Sequence, residues 1–253
     1  IESDIVGTDA FPGIYLRFDD GGTARATNNQ DGQLAFRVRM AGETKPDGFS
    51  SVMWFGLAIQ GVGDADGLTD LDVFLGYDSG TGTIGVHGAG TGANTSPNTT
   101  SIDFNDTATG YTIAADPSNF LWAPVDSIDT GVSGADLNLD GGTRGGQINT
   151  DYFLTVAFPV DLIANAVLGL TGGIFTDETA FGLVVATATQ TNSLNQDLNG
   201  VDGGTNSKVS WDELDAISPL MDSTGNPVPE PAQTATLLGL MALGFLVIRR
   251  YGV

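Results

Sequence analysis

Cysteine is absent from this 253-residue chain, histidine occurs once (His87), and lysine stands only at Lys45 and Lys208. Each scarcity removes a chemistry. Without cysteine there is neither a disulfide framework nor a thiol nucleophile, and zinc sites of the usual His/Cys kind cannot be assembled. A Ser-His-Asp triad would have one candidate base, set between glycines on a β-prone run, and no Gly-x-Ser-x-Gly elbow accompanies it. No Gly-x-x-x-x-Gly-Lys-Ser/Thr loop is present to cradle phosphate. Positive charge is equally scarce: nine Lys and Arg against 31 Asp and Glu give a net charge of −22. That balance excludes sequence-independent affinity for nucleic acid, which needs a basic surface. A polyanion of this kind stays solvated or binds divalent cations; salt-adapted surfaces have the same composition.

What is abundant is turn-forming and β-prone. Glycine reaches 36 residues and hydrophobic residues 41%, a turn-rich globular composition. Phe11–Phe18 runs into the turn cluster Asp19-Asp20-Gly21-Gly22. Residues 34–40 alternate, with Leu34, Phe36, Val38 and Met40 on one face and Arg37 and Arg39 on the other. Residues 49–59 are more continuously apolar, as expected of a strand buried on both sides. Further strands are expected at 71–77, 83–87, 111–114, 151–158 and 181–189. Helix is expected only over 160–168, after Pro159, and over one or two turns at 211–217. Many short strands and little helix predict an all-β fold, a jelly-roll-like β-sandwich, with a hydrophobic helix at the C-terminus. No internal boundary or repeat appears, so residues 1–220 read as the sandwich body, 221–231 as a Gly/Pro linker and 232–253 as a hydrophobic helix with a basic tail.

Three acidic loops are the candidate metal sites. Calcium takes six to eight hard oxygen ligands on a loop tight enough to converge them. Around Gly67, Asp64, Asp66, the Leu68 carbonyl, Asp70 and Asp72 can turn oxygens toward one ion. This segment resembles the calcium loops of EF-hand and integrin-type repeats, with Val62 at the first ligand position. Asp136, Asn138 and Asp140 form an Asp-x-Asn-x-Asp-Gly opening, with Arg144 and Gln147 where oxygen ligands are expected. The third group is Asn195, Asp197 and Asn199, followed by Asp202 and Glu213 at EF-hand spacing.

Catalysis is not expected. Glu213-Leu-Asp215-Ala-Ile-Ser218 resembles the catalytic strand of jelly-roll β-glucanases, but Ser218 stands where the acid/base carboxylate belongs. Of the tryptophans, Trp54 reads as core, while Trp122, in a loop-like Asn119–Pro124 segment, is the better candidate to stack on a sugar.

The C-terminal residues name a destination. Val228-Pro229-Glu230-Pro231 precedes an apolar run from Ala232 to Ile248 and then Arg249-Arg250. The run is at the short edge of what spans a bilayer core, and the arginines are a cytoplasmic stop. This arrangement resembles the PEP-CTERM sorting signal, with Pro229, Glu230, Pro231, Arg249 and Arg250 in the positions that define it. The resemblance implies export, a membrane hold through residues 232–248, and processing by an exosortase-like transpeptidase of a Gram-negative-type bacterium. The start at Ile1 suits a mature chain whose signal peptide has been removed. The expected function is thus an exported, calcium-stabilised structural protein of the extracellular matrix, cell surface or a surface filament. In a filament the protein self-associates, the front segment 1–14 pairing with a neighbour's sheet edge. The alternative is a calcium-dependent polysaccharide-binding module.

Overall fold

The computed structural model describes residues 4–19, 31–41, 48–63, 70–104, 111–125, 137–139, 143–144, 147–148, 150–202, 204–211 and 213–222. Asp64, Asp66, Leu68, Asp136, Asp140, linker residues 223–231 with the Pro-Glu-Pro signal, and the apolar C-terminal run with its arginines lie outside them.

The described chain is mostly β and antiparallel. Its strands are β1 (Ile14–Asp19), β2 (Gln33–Met40), β3 (Val52–Ile59), β4 (Val73–Asp78), β5 (Thr83–Gly88), β6 (Thr112–Ala114), β7 (Phe120–Pro124), β8 (Thr143–Arg144), β9 (Gln147–Ile148), β10 (Tyr152–Pro159), β11 (Phe181–Ala188), β12 (Asp197–Leu198) and β13 (Val201–Asp202). One four-stranded sheet has the order β1-β2-β10-β7, and a seven-stranded sheet has the order β13-β12-β11-β3-β4-β5-β6. β8 and β9 pair separately.

The two sheets share a core because the inward rows of their strands are apolar. Leu34, Phe36 and Val38 of β2 and Leu154, Val156 and Phe158 of β10 pack with Met53, Phe55, Leu57, Val73, Leu75, Ile84 and Val185 of the larger sheet. Phe36 stacks on Phe55 with ring centroids 4.4 Å apart, and Phe158 meets both rings edge-on. The single described α-helix, α1 (Val160–Thr171), follows β10 directly. It seats Val160, Leu162, Ile163, Ala164, Ala166 and Val167 in the same core. It runs one turn past the expected end and stops at Gly172, whose φ of 73° and N–H bond to the Leu168 carbonyl form a left-handed C-terminal cap.

The sheets differ in their outer faces. The larger one is covered by non-regular chain. Ile102, Phe104, Leu194, Trp211, Leu214 and Ile217 pack on Val52, Trp54, Phe74 and Val184 in a second cluster. β3, β4 and β11 are therefore buried at every position, which is why their sequences run apolar without alternation. The Trp54 ring lies against Gly76, its cross-strand partner, where a Cβ would collide with the indole. The expected helix at 211–217 is instead a series of turns, with Asp215 at φ 51°; its apolar residues serve as the cover of this sheet.

The front segment packs on its own chain. Ile5 bridges Met40, Val6 N–H donates to the Arg39 carbonyl, and Ala41 N–H donates to the Asp4 carbonyl. Ile5 N–H also donates to Asp197 Oδ2 at 2.6 Å. Residues 4–6 thus strap the end of β2 to β12 of the other sheet, and Ile5 enters the common core. Within the single chain, residues 4–6 occupy an edge of their own β2.

Candidate functional site

Among the described residues, the outer face of the four-stranded sheet carries only a small cluster, Val125 and Phe153 with Phe11 and Leu137. Alternation places the complements of the core residues there. Register sets Tyr15 opposite Arg37 and Arg17 opposite Ala35, and Arg37 opposite Thr155 and Arg39 opposite Phe153. Together with Phe11 and Pro12 these residues line a groove of about 670 Å³. Three of the chain's nine basic residues, Arg17, Arg37 and Arg39, therefore meet on one surface of a molecule with net charge −22.

Each arginine is held differently. Arg39 is the floor: it is 1% exposed, and its Nε donates to Asp151 Oδ2 at 2.8 Å. The same carboxylate oxygen accepts from Leu139 N–H at 3.0 Å. Arg37 is half-buried and lies over the Phe153 ring, 5.3 Å from its centroid, a cation–π contact that orients the guanidinium. Its Nε donates to Thr155 Oγ1 at 3.0 Å, and the residue lines the groove. Arg17 is exposed at the β1 edge. Tyr15, 39% exposed, meets Phe153 edge-on at 6.0 Å. Phe11 closes one end, packed with Val125, Phe153 and Leu137, and Asp19 stands at the rim. With Arg39 neutralised by Asp151, Arg17 and Arg37 outweigh Asp19, so the described residues that line the groove carry net positive charge. Apolar rings beside guanidinium forks bind flat, polar or anionic groups.

The acidic residues singled out in the sequence fall in three places. Asp70 and Asp72 sit at the base of the β3–β4 connection. There Asp72 Oδ2 accepts Ile59 N–H at 2.7 Å and Asp72 N–H donates to the Leu57 carbonyl, clamping the hairpin. Asn138 is buried in the segment docked by Asp151, whose N–H donates to the Leu137 carbonyl. Asn195, Asp197 and Asn199 turn their oxygens to separate backbone groups: Thr189 N–H, Ile5 N–H and Val185 N–H respectively. Asp202 pairs with Asp197 across β12 and β13. Glu213 is exposed and exchanges bonds with Ser210 through Ser210 Oγ. Among the described residues no three His, Asp or Glu side chains converge on one point.

The aromatic candidates are redistributed. Trp54 and Trp211 are core, as is His87, between Trp54 and Phe104. Trp122 lies in β7 rather than in a loop; it points inward, stacks on Tyr152 at 4.9 Å and packs on the main core. The Glu213–Ser218 segment is not a strand, and Ser218 Oγ accepts Leu183 N–H. The groove residues Tyr15, Arg17, Phe153 and Thr155 carried no sequence expectation. Their one local signal was the Arg37/Arg39 row opposite the apolar row of β2.

Comparison of the chain with protein-family models, curated proteins and solved structures gives no significant match. No helix among the described residues is long and apolar enough to cross a membrane.

Proposed function

We propose that the protein is an exported, non-catalytic component of a bacterial surface or extracellular matrix, and that it holds polysaccharide against the outer face of its four-stranded sheet. The groove carries this reading. It is open and runs across strands, as an extended chain requires, and it joins exposed aromatic surface to fixed guanidinium donors. Sugar rings offer apolar C–H faces for Tyr15 and Phe11 and hydroxyl oxygens for Arg37 and Arg17. The shared core of the two sheets supports the finer description of the body as a jelly-roll-like β-sandwich.

The remaining parts of the proposal rest on sequence. The PEP-CTERM-like tail supports export, membrane retention through residues 232–248 and handling by an exosortase-like enzyme. Calcium on the acidic loops, foremost residues 63–72, would stiffen the body, and self-association would build the matrix.

Affinity electrophoresis of the full chain through gels containing soluble polysaccharides tests the binding role. Retardation by at least one polysaccharide, lost in Tyr15→Ala, is expected. Unchanged migration across a broad panel refutes it. The intact mass of protein recovered from cells tests the route: a chain ending near Pro231 supports processing, and a full-length cytosolic protein refutes it.

A further inference from the structure

From the charge of the groove we infer the class of its ligand: an acidic polysaccharide, bound through the carboxylates of uronate sugars by direct, calcium-independent contact with Arg37 and Arg17. This inference rests on the polysaccharide-binding reading above and sharpens it. Arg37 is prepared for such a ligand. Its guanidinium lies over the Phe153 ring and its Nε is fixed by Thr155, so little side-chain freedom is lost when the terminal amino groups grip a carboxylate bidentately. Arg17 lies on the adjacent strand, one register step away on the same face. A neutral glycan would use the rings and the hydrogen-bonding capacity of the guanidinium groups but not their charge, which is concentrated here in a chain of net charge −22.

The overall charge makes a specific prediction. At low salt the remote carboxylates of the protein repel a polyuronate over long distances. The Debye length falls from about 30 Å at 0.01 M to about 8 Å at physiological ionic strength, whereas partly buried pairs, such as one made by the half-buried Arg37, are screened much less. Binding to the groove should therefore strengthen between those two conditions. Adsorption of a polyanion by scattered surface charge only weakens as salt rises.

The test is isothermal titration of the full chain with polygalacturonate, dextran and dextran sulfate at 25 °C, in EDTA, at both ionic strengths. Polygalacturonate is expected to bind, more tightly at the higher salt, with dextran at least tenfold weaker. Arg37→Met keeps an unbranched apolar side chain at this position and removes the fork; it should weaken polygalacturonate binding about tenfold or more, the usual worth of a charge-assisted hydrogen bond. Lys208→Met makes the same change in net charge at an exposed residue of the chain that covers the other sheet, and should leave binding unchanged. Equal binding of dextran and polygalacturonate, with no effect of Arg37→Met, overturns the uronate inference while leaving the groove a glycan site. Preference for dextran sulfate with loss at the higher salt, or binding only when calcium is restored, also overturns it. No binding of any of the three, with Tyr15→Ala inert on the wider panel, removes both readings.

Discussion

Replacing Asp151 by alanine removes the carboxylate that neutralises Arg39 beneath the groove. Arg39 is 1% exposed and Asp151 0%, so water cannot take over the role of the lost partner. Breaking a buried pair by deleting one member typically costs about 3–5 kcal/mol. The Leu139 N–H bond to the same oxygen is lost as well, and an unsatisfied buried donor costs about 1–3 kcal/mol. Because a kilocalorie shifts the midpoint of a domain this size by about 2–4 °C, the two losses together predict a fall in Tm on the order of 8–32 °C. Circular dichroism melts of Asp151→Ala, Arg39→Met and the double variant Arg39→Met/Asp151→Leu measure it. The double variant should recover most of the loss, since an apolar pair removes both desolvation costs together, and retain only the Leu139 deficit. A Tm within about 2 °C of the native value for Asp151→Ala would refute the reasoning, because a pair this buried cannot be that cheap to break.

Four further outcomes follow from the same packing. Asp197→Ala should release the strap at Ile5 and cost about 1–3 kcal/mol, with amide exchange of residues 4–6 rising more than that of β3; unchanged exchange there would count against the strap. Gly76→Ala forces a methyl group into the Trp54 ring and should destabilise by about 1–3 kcal/mol or more, read in denaturant melts; a neutral result contradicts the cross-strand packing. EDTA should lower the Tm by several degrees if calcium occupies an acidic loop well above its dissociation constant, and an unchanged Tm in excess calcium and in EDTA refutes calcium stabilisation. Tyr77 is held above its ordinary value of 10.0, first by burial and then by the neighbouring Asp78 charge. The folded state therefore keeps its proton longer than the unfolded one. Its contribution is full below about pH 10 and is lost as pH rises through the folded value, so Tyr77→Phe should flatten the alkaline loss of stability; identical alkaline profiles would refute that assignment.

Much of the sheet structure was legible because burial imposes a period. The strict alternation of residues 34–40 gave β2 and both of its faces, and the unbroken apolar run to Ile59 correctly signalled a strand covered on both sides. What covers β3 was not legible. Trp211, Leu214 and Ile217 have helical spacing, yet they face the sheet from a chain of turns, and only tertiary contact decides between those conformations. β7 was missed because Pro124 ends a short segment that reads as a loop, although proline is tolerated on an edge strand. The groove was hidden for a related reason. Its residues are neighbours across β1, β2 and β10, and no local spacing joins Tyr15 to Phe153. In one acidic group, closeness in sequence suggested convergence, whereas Asn195, Asp197 and Asn199 turn to three different backbone partners.

The outer face of the four-stranded sheet is the centre of the account, and hydroxyl-radical footprinting with polygalacturonate tests it most directly. Tyr15 is 39% exposed on that face, while Leu168 and Ile174 are 60% and 72% exposed on and just after α1. Saturating polysaccharide should slow oxidation of Tyr15 and Phe11 and leave Leu168 and Ile174 unchanged. Undiminished oxidation of Tyr15, with protection appearing at Leu168, Ile174 or nowhere, would contradict the account.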